Sequence, residues 1–235
     1  AGVTHEARMV RTEKYVAETG AGRPLYPAFD TPVDDPRPLA GPDSVNVANI
    51  SVLPRGDGLW ALWEAGSPWL LDADTLETRG IHTFSAASRG LPFSAHPRVE
   101  PDGPLWNFGY ASGAGRLVFW HVAADGRLLR VRTLPVDPMT MPHDFVVTAR
   151  HLVLLLPPLE REPGPAETFL TGHRWRPDHP TRVLVVAKED LQTHWYAELP
   201  AQWVFHFGNG YEDADGLIHF DGASAPDPGA LFGAF

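Results

Sequence analysis

The chain has 235 residues, of which 43% are hydrophobic and 20% charged, as is typical of a globular protein with a sizeable core. Its 29 acidic and 19 basic residues give a formal charge of −10, which argues against phosphate contacts and therefore against a nucleic-acid partner. Cysteine is absent, so the sequence excludes disulfides and thiolate metal ligands.

The predicted elements are one short helix followed by many strands. Residues 12–21 are the one helical candidate, because apolar residues elsewhere lack the period of a helix. Strand-length apolar runs follow at residues 59–63, 116–122, 151–156, 182–186 and 217–220. Asp-Gly pairs, which favour tight hairpin turns, flank most of these runs and occur at 57–58, 102–103, 125–126, 215–216 and 221–222. This pattern predicts an all-β fold.

Two Pro-containing segments, residues 31–44 and 160–180, are expected to have little regular structure. We interpret the second as a loop insertion between two strands, since strand-like sequence resumes immediately after it. Residues 1–235 are therefore predicted to form a single domain. The recurrence of strand, Asp-Gly turn and strand favours a β-propeller, although a β-sandwich shares the pattern.

Three histidines, His96, His143 and His206, stand in Pro- or aromatic-flanked turns between apolar runs. Imidazole is the commonest metal ligand in proteins, and three converging imidazoles make a site for a first-row metal. We expect each histidine in a short loop beside a strand, where a propeller presents residues to its axis. The alternative is that these are ordinary core or edge histidines.

Six segments, in order along most of the chain, resemble the carotenoid cleavage oxygenases, a family of apocarotenoid-forming and stilbene-cleaving dioxygenases. Residues 93–97 read Phe-Ser-Ala-His-Pro, similar to the family's Phe-Thr-Ala-His-Pro. Residues 205–213 resemble its Phe-His-x-x-Asn-Ala-Tyr-Glu-Asp motif, and the other matching segments are residues 10–15, 61–68, 71–78 and 141–145. Pro142 stands where the family has Met, and Gly210 where it has Ala, and neither change removes a ligand.

The resemblance implies a seven-bladed β-propeller with non-haem Fe²⁺ on its axis, held by four histidines. His96, His143 and His206 match the first three ligands, and Glu64 matches a family glutamate that would hold His143. The family's fourth ligand lies in a Gly-Phe-His-Gly segment that this sequence lacks. The match covers the middle of the family pattern without either end, so we expect a fragment or a truncated member with part of the propeller.

The activity implied by the resemblance is Fe²⁺-dependent cleavage of one double bond of a carotenoid or apocarotenoid by O₂, giving two carbonyl products. A stilbene-cleaving dioxygenase of the same family is one alternative, and a non-catalytic propeller scaffold or binding module is another. The expected partners are an apolar conjugated alkene and O₂. The sequence carries no signal for an oligomeric state.

The residues around the three histidines have expected roles of their own. The phenylalanines Phe93, Phe145, Phe205 and Phe207 either line a substrate tunnel or pack in the core. Asp144 is expected to accept hydrogen bonds in a turn, and the Tyr-Glu-Asp sequence at 211–213 is expected to be structural.

The location of the protein is predicted from what the sequence lacks. No charged-then-apolar leader opens the chain, and no apolar run approaches the ~20 residues of a membrane span. These features predict a cytoplasmic protein, and a lipophilic substrate favours peripheral contact with a membrane.

Overall fold

The chain folds into a succession of antiparallel β-sheets that follow the sequence order, and the computed structural model describes residues 2–233. Helix α1 (Glu13–Ala21) precedes the sheets, which confirms the predicted helix. Thr12 caps its start by accepting a hydrogen bond from the Tyr15 backbone, and Gly22 ends it with a φ of 63°. Short helical turns are Pro42–Val45, Ala86–Ser88, Ser112–Ala114, Leu170–Gly172 and, near the other end, α2 (Gly229–Phe232).

The first two sheets are four-stranded meanders in which each strand pairs with the next. The first contains β1 (Ser51–Arg55), β2 (Gly58–Leu62), β3 (Trp69–Asp72) and β4 (Thr78–Ile81). The second contains β5 (Arg98–Val99), β6 (Leu105–Ala111), β7 (Arg116–Val122) and β8 (Leu128–Pro135). Short hairpin connections explain why consecutive strands are neighbours.

The third sheet has the order β14-β13-β10-β9, and a two-stranded sheet follows it. Its strands are β9 (Phe145–Val147), β10 (His151–Leu156), β13 (Thr181–Ala187) and β14 (His194–Leu199). A separate hairpin of β11 (Leu159–Arg161) and β12 (His173–Trp175) lies between β10 and β13 in the sequence. The last pair is β15 (Trp203–Glu212) and β16 (Ile218–Ala225).

All five predicted strands lie in or overlap observed strands, but two other predictions were wrong. The expectation of little structure at 160–180 missed the β11–β12 hairpin and the Leu170–Gly172 turn. Four Asp-Gly pairs lie at or beside hairpin connections, whereas Asp221 and Gly222 lie inside β16. A Cβ atom at position 222 would lie only 3.0 Å from the His206 carbonyl oxygen, which is closer than an ordinary contact. This close approach of the two backbones favours glycine there.

The sheets stack face to face and bury their middle strands on both sides. Every residue of β6 except the last is buried, and five of the six residues of β10 are buried. One apolar cluster joins the first two sheets through Trp60 and Trp120, and a larger one joins the second and third through Phe108 and Phe145. Coverage on both faces explains why these strands read as continuous apolar runs rather than as alternating ones.

Across residues 2–233, no helix combines the length and the apolar character that crossing a membrane requires.

Candidate metal centre

His96 lies in the loop that leads into β5, and hydrogen bonds fix this loop to two sheets. The Asn107 side chain, on β6, donates to the Ser94 carbonyl at 2.8 Å and accepts from the Ser94 hydroxyl at 2.8 Å. The Ser51 hydroxyl, on β1, donates to the Ala95 carbonyl at 2.6 Å. Because Ser94 and Asn107 are fully buried, these bonds hold the loop without competition from water.

His143 lies in the segment that leads into β9, and its partner is Glu64, just after β2. The His143 Nδ1 atom lies 3.1 Å and 3.0 Å from the two carboxylate oxygens of Glu64, and both residues are buried. A carboxylate beside Nδ1 keeps the proton on that nitrogen and leaves the Nε2 lone pair free. The structure therefore joins the two residues that the resemblance pairs.

His206 lies inside β15, at a β-bulge, and not in the loop that the sequence predicted. Val204 pairs with Ser224 and Phe207 with Gly222, so β15 has one residue more than β16 between these pairs. A bulge turns a side chain out of the regular alternation of a strand. This irregularity allows an exposed strand residue to face the other two histidines.

The three histidines converge on one place. Their potential ligand atoms all lie within 4.8 Å of one another, and the Nε2 atoms of His96 and His143 are 2.9 Å apart. Burial and the His143 ring lower the pKa of His96 to about 4. The partial desolvation of His206 and the same ring lower the pKa of His206. Neutral imidazoles with free lone pairs are the form that binds metal. The donor set fits a first-row divalent metal.

The four phenylalanines beside the histidines pack against protein. Phe93 and Phe145 are buried in the core, and Phe207 packs against β16 in a third cluster. Phe205 stacks on the His143 ring, with centroids 3.6 Å apart and planes 9° apart. Core packing is thus the role of Phe93 and Phe145, and Phe205 limits rotation of the second imidazole.

Asp144 accepts hydrogen bonds from outside its own turn as well as within it, which is more than the turn role that the sequence suggested. Its carboxylate, 3% exposed, accepts from Arg98 Nη2 at 2.7 and 2.8 Å. It also accepts from the backbone nitrogens of Phe145 at 2.8 Å and Phe207 at 3.0 Å. The Arg98 Nε atom donates to the Phe145 carbonyl. A motif of His followed by Asp was the available signal, but nothing local identifies Arg98 as the partner.

The Glu-Asp pair after the third histidine is structural, as the sequence predicted. Glu212 accepts from the Thr148 hydroxyl, from His151 Nδ1 at 2.6 Å and from Arg150 Nε at 2.7 Å. These bonds tie the end of β15 to the β9–β10 turn. Asp213 closes the β15–β16 turn by accepting from two backbone nitrogens.

Replacing Glu212 with Gln should remove stability that depends on pH. Burial raises the pKa of Glu212, but the Thr148, His151 and Arg150 bonds outweigh it and lower the pKa to about 2. Because the pKa of Glu212 is lower in the folded than in the unfolded chain, the ionised carboxylate stabilises the fold at pH values above the ordinary Glu pKa. This stabilisation is lost as the pH falls toward 2. We expect E212Q to cost ~1–2 kcal/mol at neutral pH. Urea unfolding at several pH values measures this, and a cost independent of pH contradicts it.

Gly210 differs from the family's alanine because Val146 fills the space. A Cβ at 210 would overlap Val146 Cγ1, on β9, where β15 crosses this strand closely. We expect G210A to destabilise the fold by about 1–3 kcal/mol, through overpacking. In the V146A background the same change should cost less than about 0.5 kcal/mol. Urea unfolding of the wild type, G210A, V146A and the double variant gives the four free energies of unfolding. An equal cost of G210A in both backgrounds would refute the explanation.

A mostly apolar cavity of about 530 Å³ is lined by Glu64, the partner of His143, and by none of the three histidines. Its apolar lining includes Phe29, Leu39, Val47, Trp63 and Phe169. Its polar groups include Lys14, whose amine donates to Glu18 and to a backbone carbonyl. The Tyr110 hydroxyl, also in the lining, is buried and faces the Glu64 carboxylate, which is its nearest hydrogen-bond acceptor.

Comparison with known proteins extends these observations. The family model described as retinal pigment epithelial membrane protein matches residues 1–235. Apocarotenoid-15,15'-oxygenase of Synechocystis sp. is 29% identical over 92% of this chain and 47% of its own length. Resveratrol cleavage oxygenase 1 of Aspergillus fumigatus is 29% identical over 91% of this chain and 44% of its own. The chain thus spans less than half the length of these relatives.

Two solved structures have the same fold over nearly the whole chain. Lignostilbene dioxygenase of Pseudomonas brassicacearum matches with a TM-score of 0.80 and 30% identity, covering 92% of this chain and 45% of that one. Cobalt-substituted apocarotenoid oxygenase of Synechocystis matches with a TM-score of 0.77 and 26% identity, covering 94% and 49%. The resemblance read from six short segments is therefore confirmed along the chain.

Proposed function

The chain belongs to the carotenoid cleavage oxygenase family, that of the retinal pigment epithelial membrane protein, and we propose from this that it acts in a non-haem Fe²⁺ dioxygenase. The proposed reaction adds the two atoms of O₂ across one double bond of an apolar conjugated alkene and gives two carbonyl products. The observation that carries the proposal is the convergence of His96, His143 and His206 on one place.

The residues present fit the iron that the family implies. His96, His143 and His206 would hold Fe²⁺, and the ion would supply the site at which O₂ is activated. Glu64 keeps the His143 proton on Nδ1 and places a negative charge beside a neutral ligand set. The resemblance implies a fourth imidazole in a Gly-Phe-His-Gly segment, which residues 1–235 do not contain.

We propose that the sheets are blades of a seven-bladed β-propeller, and that residues 1–235 belong to one such domain. Three observations support this: the sheets are antiparallel, they stack in chain order, and their first strands β5, β9 and β15 follow or carry the histidines. Residues 160–180 would then be an insertion within the third blade.

The cavity supports an apolar substrate, for which a carotenoid or apocarotenoid is the first candidate. One feature bears on the stilbene alternative, namely the Tyr110 hydroxyl, which lies beside Glu64 in the cavity lining. Burial and the Glu64 carboxylate raise the pKa of Tyr110 well above its ordinary value, so the phenol stays protonated and can donate. A substrate that carries hydroxyl groups would offer it a second acceptor beside Glu64, whereas a hydrocarbon chain would not. Peripheral membrane contact stays a prediction.

The variant Y110F separates the two substrate classes. If a hydroxystilbene is bound through this hydroxyl, kcat/KM for that substrate should fall about tenfold in Y110F, as one lost hydrogen bond implies. Turnover of an apocarotenal should change little. Steady-state kinetics with both compounds measure the ratio, and equal effects on the two substrates would remove Tyr110 as a reason to prefer stilbenes.

Metal analysis and product analysis together test the proposed function. The intact protein, reconstituted with Fe²⁺, should hold about one iron per chain and cleave an apocarotenal or a hydroxystilbene only when O₂ is present. With isotopically labelled O₂, each carbonyl product should carry one labelled atom. Stoichiometric zinc, or no bound metal, together with no cleavage would instead support the scaffold alternative.

A further inference from the structure

One buried carboxylate connects the three segments that carry the histidines. Asp144 directly follows His143, and its oxygens accept from Arg98, two residues after His96. They also accept from the backbone nitrogen of Phe207, directly after His206. Each histidine therefore lies within two residues of an atom in this network, which we call the Asp144 clamp: Arg98, Asp144 and the backbone of Phe145 and Phe207.

Among residues 2–233, no charged side chain outside the clamp forms hydrogen bonds with all three histidine segments. Glu64 fixes the ring of His143 alone, and among residues 2–233 no carboxylate accepts a hydrogen bond from His96 or His206. The segments belong to three different sheets, so their spacing depends on noncovalent contacts between sheets. A metal centre needs its ligands held to within about 0.5 Å. A carboxylate with four hydrogen bonds, three of which cross this junction, supplies such a restraint.

The expected effect of the clamp is on geometry more than on stability. Burying an ion pair costs free energy of hydration, and the attraction between the two charges offsets this cost only in part. A buried ion pair is therefore weak evidence for stabilisation. Its hydrogen bonds are directional, however, and define one arrangement of the groups they join. We propose that Asp144 and Arg98 are positioning residues that set the spacing of the three imidazoles and thereby their affinity for a divalent metal. This inference rests on the proposed function.

The experiment titrates the intact protein and its variants with Co²⁺, and with Fe²⁺ under anaerobic conditions. D144N keeps the size of the side chain but removes its charge and one acceptor. We expect its Co²⁺ affinity to fall at least about tenfold, as for other groups that orient ligands, with a changed Co²⁺ absorption spectrum. E212Q is the matched control, since Glu212 also ties β15 to the β9 region but adjoins no histidine of the group. It should keep the wild-type affinity and spectrum.

R98M supplies the second test, because the Arg98 side chain is 38% exposed and its loss leaves the core intact. R98M should weaken Co²⁺ binding as D144N does. The double variant D144N/R98M should lose no more Co²⁺ affinity than whichever single variant binds Co²⁺ more weakly. If D144N does not fold, R98M decides. Wild-type affinity and spectrum in the folded variants overturn the inference and leave the proposed function standing. Absence of Co²⁺ and Fe²⁺ binding in the wild-type protein overturns the proposed function, and this inference with it.

Discussion

The variant H143A should lose the metal almost completely. His143 is the most buried of the three histidines and the one whose orientation is set by Glu64. Removing it takes away a ligand and leaves the Glu64 carboxylate buried without its partner. We expect metal affinity to fall at least about a hundredfold, more than the ten- to hundredfold typical of losing an orienting group. Iron content after reconstitution and O₂-dependent cleavage measure the effect.

Two further variants complete this test. H194A removes an exposed histidine of β14 that lies outside the centre, and it should bind iron like the wild type. E64Q keeps the shape of the Glu64 side chain but not its charge, and should lower affinity less than H143A does. If H143A keeps about one iron per chain, the metal is bound elsewhere and the assignment of the centre is wrong.

The variant G109A should destabilise the protein and disturb the first histidine loop together. Gly109, on β6, lies against the Pro92 backbone, and a Cβ there would overlap the Pro92 carbonyl. The same carbonyl accepts from Trp120 Nε1 at 2.9 Å, so it cannot move without breaking that bond. Overpacking against backbone should cost about 2–3 kcal/mol. The loop that would have to shift continues into His96.

The matched control is G113A, because a Cβ at 113 has nothing within 4 Å. This change should alter the free energy of unfolding by less than about 0.5 kcal/mol. Urea unfolding and Co²⁺ titration of both variants give the comparison. A G109A protein as stable as G113A, with unchanged Co²⁺ binding, would contradict the packing of the loop on β6.

The sequence predicted best what local patterns determine. The strand at 116–122 coincides with β7 and that at 151–156 with β10, because each is a continuous apolar run between turn residues. The prediction that His96 and His143 lie in loops beside strands rested on the Pro-containing segments around them, which interrupt the apolar runs. The helix was recognised at its N-cap, where Thr12 stands.

Long-range pairing determined what the sequence did not predict. The bulge at His206 depends on the register of β15 against β16. The local sequence features that indicate a bulge there are the glycines at 208, 210 and 222. The pairing of Arg98 with Asp144 joins residues 46 apart from different sheets, so no local pattern specifies it. The β11–β12 hairpin was missed because its three-residue strands lie in a Pro-rich, charged stretch.

The arrangement explains how distant residues form one centre. Three of the sheets each contribute one histidine, which lies in the first strand of the sheet or just before it. The stacking of these sheets, rather than any one motif, therefore sets the distances between the imidazoles. The buried Ser94–Asn107 pair, the Glu64–His143 pair and the bulge in β15 fix one ligand each. The Asp144 clamp then links the three segments.

The most direct test of this account is a crystal structure of the iron-loaded protein with anomalous scattering data collected at the iron edge. We expect one strong iron peak, bonded to ring nitrogens of His96, His143 and His206. A peak bound by other residues contradicts it, as does a fully loaded protein in which these three rings share no metal.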